Sequence, residues 1–136
     1  MADSHRMAVR VYYEDTDASG VVYHANYLRF LERGRSEWLR ALGLGHANLL
    51  KAKDPLAFAV RKMAIAFERP ARIDDLLTIE TRLKHASGAR LTLEQSVLKE
   101  DQILVGAEVE VVCMNDRGRP RRLPNSLQAA LSGKKP

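Results

Sequence analysis

Residues 26–42 read NYLRFLERGRSEWLRAL. Tyr27, Leu28, Leu31, Gly34, Arg35, Trp38, Leu39 and Leu42 recur at three-and-four spacing, the pattern of a helix with one apolar stripe. Asn26 is a plausible N-cap, and Gly43 and Gly45 end the segment. Arg33 and Glu37 are spaced for a surface ion pair. Gly34 sits mid-helix, where it costs ~1 kcal/mol relative to alanine. Close approach of the helix to other backbone would explain it.

The chain on either side of this helix alternates with period two. Before it, Met7, Val9, Val11 and Tyr13 interleave with Ala8, Arg10 and Tyr12, as in a strand with one buried face. After it, Phe58 and Val60 share one parity and Met63, Ile65 and Phe67 the other. The switch at Arg61-Lys62 reads either as a β-bulge or as two short strands with a bend. Leu77-Ile79-Thr81-Leu83, Leu91-Leu93-Gln95-Val97 and Val105-Ala107-Val109-Val111-Cys113 follow, separated by turn-like stretches. Ser126–Leu131 suits a short helix. The expected fold class is α+β, one long helix against an antiparallel five-stranded sheet, with the last four strands as a meander. One helix cannot cover such a sheet from end to end, so association through an edge strand or the helix edge is expected.

The whole-chain numbers bound the rest. A chain of 136 residues reads as a single domain, 1–136, with a core from about 7 to 124. Lys and Arg number 22 against 17 Asp and Glu, a net charge of +5 that favours polyanionic partners. A single cysteine excludes an internal disulfide framework and a cysteine-based zinc cluster. No apolar run suits a membrane span. The N-terminal Met1-Ala2-Asp3-Ser4-His5-Arg6 has no apolar segment behind it, so no secretory leader is expected, and the cytoplasm is the expected address.

The chemistry concentrates between the first strand and the helix, in residues 13–27, YEDTDASGVVYHANY. Glu14, Asp15 and Asp17 precede an apolar Val21-Val22-Tyr23, and His24 stands at the helix entrance. A helix N-terminus offers free N–H groups and the positive end of a dipole, which can hold an anion or a developing oxyanion. A nearby carboxylate can act as nucleophile or as general base. Those parts suit hydrolysis of an activated acyl group without metal or cofactor. Glu14 and Asp15 read as solvated loop carboxylates, and Thr16 as a turn residue bonding local backbone.

These residues also carry a resemblance. Val9-Arg10-Val11-Tyr12-Tyr13-Glu14-Asp15-Thr16-Asp17, then Gly20-Val21-Val22-Tyr23-His24 and Tyr27, closely resembles the signature of the 4-hydroxybenzoyl-CoA thioesterase family, in particular its YbgC branch of Tol–Pal-associated acyl-CoA thioesterases. The likeness continues in Phe58-Ala59-Val60-Arg61-Lys62-Met63, Pro70–Asp75, Val111-Val112-Cys113 and Pro120–Pro124. It implies a hotdog fold and a dimer or dimer of dimers with sites at subunit interfaces. It implies hydrolysis of acyl-CoA, with acyl-carrier protein as an alternative donor. The family's catalytic aspartate falls on Asp17, its tyrosine on Tyr13 and its histidine on His24. Ala18-Ser19 falls at variable positions.

The expected roles follow. N–H groups near His24 and Ala25 polarise the thioester carbonyl. Asp17 attacks it or activates water, and His24 and Tyr13 position and stabilise. Arg61 and Lys62 are the first choice for the phosphates of coenzyme A, with Val60 and Met63 beside them on the substrate. Arg90, Arg119, Arg121 and Arg122 come second. His5, His46 and His85 have no second ligand at metal-like spacing. Cys113 reads as a buried small hydrophobe and Trp38 as core or interface. The charged tail reads as a solvated end. A non-enzymatic adaptor is the alternative function. A nucleic-acid binder lacks aromatic–basic interleaving, and a hydratase lacks its motif.

Overall fold

The computed structural model describes residues 4–123 and 125–131. Pro124 and the Gly133–Pro136 charge run lie outside the described residues, as does the start of the N-terminal segment before Ser4. The first strand, β1 (His5–Arg10), is followed by a single 3-10 turn (Tyr13–Asp15), a loop, and the long helix α1 (His24–Ala41). A short helix α2 (His46–Lys51) precedes four strands: β2 (Ala57–Phe67), β3 (Leu76–Ser87), β4 (Arg90–Lys99) and β5 (Gln102–Met114). Helix α3 (Asn125–Leu131) comes last, with Leu131 buried.

All pairings within the five-stranded sheet are antiparallel, in the order β1-β3-β4-β5-β2. This is the hotdog arrangement. The expected four-strand meander is therefore only three strands long. β2 skips β3 and pairs with β5, because the loop after it carries the chain across the sheet before β3 begins. β1 takes the vacant edge of β3. Met7 and Val9 pack on the core from β1, but the strand ends at Arg10 and Tyr13 falls on the exposed 3-10 turn, not on the buried face. The β2 parity switch is a bulge: Val60 pairs with Val111 and Lys62 with Glu110, with Arg61 between them. A bulge leaves Arg61 and Lys62 on one face, and both line a groove on the charged side of the sheet.

α1 buries Tyr27, Phe30, Leu31, Gly34, Trp38 and Leu39. Leu28 is exposed, and Phe30 takes the place on the stripe that the spacing assigned to it. The helix begins two residues earlier than Asn26, which is no cap. Its side chain donates to Asp15 Oδ1 at 2.6 Å. Glu37 pairs with Arg40, one turn further on, rather than with Arg33. The helix stops after Ala41, and Gly43 turns with φ +80°.

Gly34 explains how closely α1 lies on the sheet. A Cβ there would stand 2.6 Å from Ile79 Cγ2 and 3.2 Å from both Gln95 Nε2 and Thr81 Oγ1. The close approach is to side chains of β3 and β4, not to backbone. Thr81 and Gln95 are the buried polar groups of this contact, and their hydrogen bonds are made. Gln95 Nε2 donates to Leu31 O and Thr81 Oγ1, and its Oε1 accepts from Arg35.

Candidate active site

The 13–23 segment is held as a compact structure by its own polar groups. Asp15 is not a solvated loop acid. Its carboxylate accepts from Tyr12 N–H (2.8 Å) and from Asn26 Nδ2 (2.6 Å), and its carbonyl accepts from Tyr23 N–H (2.9 Å). It thus clamps the start of the loop to the start of α1. Thr16 donates its hydroxyl to Tyr13 O (2.8 Å), the local bond expected of it. Thr16 pairs with Val22 and Val21 with Arg72 as isolated bridges. The loop is pinned between its own return and the 70–75 segment, whose Ala71 N–H donates to the buried Tyr27 hydroxyl at 2.9 Å.

Asp17 sits at the tip. Its N–H donates to Val21 O (2.9 Å), and Gly20 N–H returns to Asp17 O (3.1 Å), with Gly20 at φ +82°. Asp17 Oδ1 accepts both the backbone N–H (2.8 Å) and the hydroxyl (2.5 Å) of Ser19. These two bonds, the hydroxyl first, hold the carboxyl below the usual aspartate range. Ser19, which the family pattern treats as free to vary, therefore orients the Asp17 carboxyl and favours its charged form. Backbone N–H groups of Val21 and of Asp17 itself act on the carboxyl in the same direction.

His24 opens α1. Tyr23 occupies the cap position without a capping side-chain bond, and Asn26 N–H turns back to Tyr23 O at 2.8 Å. The N–H groups of His24 and Ala25 find no acceptor among the described residues, so two donors stand free at the positive end of an 18-residue helix. The His24 ring is exposed and sits in an aromatic cluster, 4.6 Å from the Tyr23 ring and 6.1 Å from Phe67 on β2. Phe67 also reaches Tyr27 at 5.8 Å. Phe67 was legible only as a strand residue; its half-exposed ring against the helix entrance is a tertiary feature.

The remaining predicted residues lie elsewhere on the chain. Tyr13 is 82% exposed on the 3-10 turn, and among the described residues it makes no side-chain hydrogen bond or ring contact with Asp17 or His24. Arg61 and Lys62 sit at the bulge, about 20 Å along β2 from Phe67 at strand spacing. They share their groove with Arg90, Glu108 and Glu110. Arg61 and Arg90 both bind Glu110, at 2.5 and 3.6 Å, while Lys62 has no ion pair among the described residues. Arg121 is drawn away to Asp54. Val60, 46% exposed, opens instead onto a cavity of about 380 Å³ between α1, α2 and the sheet, and Met63 packs on the core behind it.

Sequence periodicity does not reveal that cavity, because its walls come from separate elements. Trp38, Leu39, Phe58, Leu91, Leu93 and Val111 form its apolar wall, and Glu32, Arg35, Ser36 and His46 its polar side. Ser36 Oγ and His46 Nε2 are 3.1 Å apart, joining α1 to α2. Among the described residues no group of His, Cys, Asp and Glu could hold a metal ion, and no helix is long and apolar enough to cross a membrane.

Residues 11–131 match the family model described as the thioesterase-like superfamily. The chain is 44% identical over 123 residues to the acyl-CoA thioesterase YbgC of Haemophilus influenzae, covering 90% of each. It is 45% identical over 126 residues to the acyl-CoA thioester hydrolase YbgC of Escherichia coli O6:H1, covering 91% of this chain and 92% of that one. A crystal structure of a probable thioesterase from Bartonella henselae matches the fold with a TM-score of 0.87 at 51% identity, over 90% of this chain and 100% of the other. The loop that presents Asp17, the uncapped helix behind it and the sheet that carries both thus belong to a known lineage: the chain is a member of the thioesterase-like superfamily, among the YbgC-type thioesterases.

Proposed function

We propose that this enzyme hydrolyses acyl-CoA, adding water across the thioester to release a carboxylic acid and free coenzyme A, with Asp17 as the group that makes the new bond possible. The observation that carries this reading is a Ser19-held Asp17, its carboxyl kept below the usual range, on the hydrogen-bonded loop that leads directly into the two free N–H groups of His24 and Ala25. The thioester carbonyl oxygen would accept from those N–H groups, which stabilise it as charge develops. Asp17 Oδ2 then either attacks the carbonyl carbon, expelling the thiolate and leaving an anhydride for water to open, or takes a proton from the attacking water. Single-turnover hydrolysis in ¹⁸O water separates the two: direct attack by water labels the released acid, whereas an anhydride opened at the Asp17 carbonyl leaves the label in Asp17 and none in the acid. His24 and Tyr13 position substrate and water.

The site is composite in this reading. β2 is an edge strand of 11 residues, and its Val60 and Phe67 are half-exposed. An unpaired edge of that length is a template for a second copy. Antiparallel pairing of two β2 strands about their middle would set one chain's Phe67 opposite the partner's Ala57, and so Phe67 and His24 toward the partner's Phe58 and cavity. Within one chain the same groups are far apart: Glu32 begins the cavity about 12 Å along α1 from His24. The working unit is then a homodimer, or a dimer of dimers, each chain forming one domain in the cytoplasm, where coenzyme A is the thiol carrier. Lys62, with Arg61 and Arg90, is the basic group nearest the dimer seam for its phosphates. Acyl-carrier protein is the other donor to assay.

The test is Asp17→Asn. Turnover of an acyl-CoA panel should fall by roughly 10²–10⁴-fold or more, with fold and oligomer unchanged. His24→Ala should cost less, because the ring does not make the bond. Near-normal hydrolysis by the Asp17→Asn protein would sink the assignment.

A further inference from the structure

The cavity beside α1 is lined by a cation that makes no ion pair among the described residues. Arg35 is half-buried and lines it, and donates one N–H to Gln95 Oε1 at 3.1 Å. A guanidinium carries five N–H donors in a planar fork. No carboxylate lies within ion-pair distance of Arg35 among the described residues. Glu32, one turn earlier, lines the same cavity but acts on Arg35 only through space. Burial lowers the Arg35 pKa, so its surroundings disfavour the charge. Gln95, bonded in turn to Leu31 O and Thr81 Oγ1, holds one arm of the fork.

An open cavity lets water solvate the cation. A ligand that fills the cavity removes that water and must replace its hydrogen bonds, or leave a dry unpaired charge. A purely alkyl group is penalised there, and a carboxylate with matching bidentate geometry is not. On the hydrolase reading above, the occupant is the acyl part of the substrate. We propose that Arg35 is the specificity-determining residue of this acyl pocket. It receives an acyl group that ends in a carboxylate, while Trp38, Leu39, Phe58, Leu91 and Leu93 take the methylenes.

The test compares three six-carbon thioesters on the full-length enzyme: adipoyl-CoA, hexanoyl-CoA and 6-hydroxyhexanoyl-CoA. The unaltered enzyme should prefer adipoyl-CoA in kcat/KM. In Arg35→Gln the ratio of adipoyl to hexanoyl should fall by roughly ten- to a hundredfold, the range for a charge-assisted bond. Arg35→Lys, which keeps the charge but not the fork, should restore part of it, which also covers the case of a Gln variant that folds poorly. The ratio is the deciding quantity, since a merely structural role would lower all three substrates together. An unchanged ratio, a preference for the hydroxyl-ended substrate, or a uniform loss with dissociation of the oligomer each overturns the proposal; the last would make Arg35 a subunit contact. Hydrolysis of some acyl-CoA with no carboxylate preference removes this assignment alone, whereas no hydrolysis of any acyl-CoA removes the hydrolase reading and this one with it.

Discussion

Asp17 is exposed, yet its carboxyl is held low by the Ser19 hydroxyl and N–H. The sign of the consequence is fixed. A carboxylate whose pKa is depressed is charged above that pKa and loses its charge as pH falls through it. Activity that needs ionised Asp17 should therefore fall on the acid side at lower pH than for an ordinary aspartate. Ser19→Ala removes the first of the two bonds, and the acid limb of kcat/KM should move to higher pH while activity at neutral pH falls little. An acid limb that stays put would separate Asp17 from the ionisation that limb reports. Asp15 lies two residues away and behaves otherwise: both its oxygens are spent on Tyr12 and Asn26, so it serves as clamp rather than reagent. The sequence set the three acids of this loop side by side without distinguishing them. Asp17 stood out by resemblance alone, because hydrogen-bond partners such as Ser19 and Asn26 are assigned by the turn, which period and spacing do not encode.

At the scale of elements, α1 and the strands were legible because burial enforces periodicity, and the bulge at Arg61 was legible because it breaks one. Strand order was not. β2 and β3 are neighbours in sequence, and the crossover through residues 68–75 and the β2–β5 register separate them in space. The cavity was equally hidden, since Phe58, Leu91, Val111 and Arg35 come from four elements, and Arg35 read simply as part of a stripe. Gly34 is where sequence and packing meet. Its lack of a side chain lets α1 settle onto Ile79, Thr81 and Gln95. Gly34→Ala would gain ~1 kcal/mol in helix propensity. Against that stands a contact of 2.6 Å to the fully buried Ile79, which must shift. Overpacking of this kind costs about 1–3 kcal/mol, so the net change should be destabilising. Urea unfolding checks it: the midpoint should fall with the slope unchanged. A midpoint that rises would mean the core yields at Ile79 more readily than its burial implies.

The whole molecule poses a question of distance. One chain carries Asp17 and the free helix N–H groups at one end of α1, and the cavity with Val60 toward the other. The two are more than about 10 Å apart along the helix, and further along β2. If two β2 edges join, each site draws its reagent loop from one chain and its acyl pocket from the partner. Mixed oligomers test this directly. Asp17→Asn removes the reagent but leaves the cavity; Val60→Trp fills the cavity mouth but leaves Asp17. Each variant alone should be inactive. Unfolded together in equal amounts and refolded, half the dimers would pair one of each. In such a dimer one site carries both defects and the other carries neither. Random pairing then restores about a quarter of the unaltered activity, a figure set by symmetry alone. A site confined to one chain restores nothing, since every chain in the mixture is defective in itself. Equal recovery without refolding would instead report exchange of subunits, and its time course would measure how tightly the β2 edges hold.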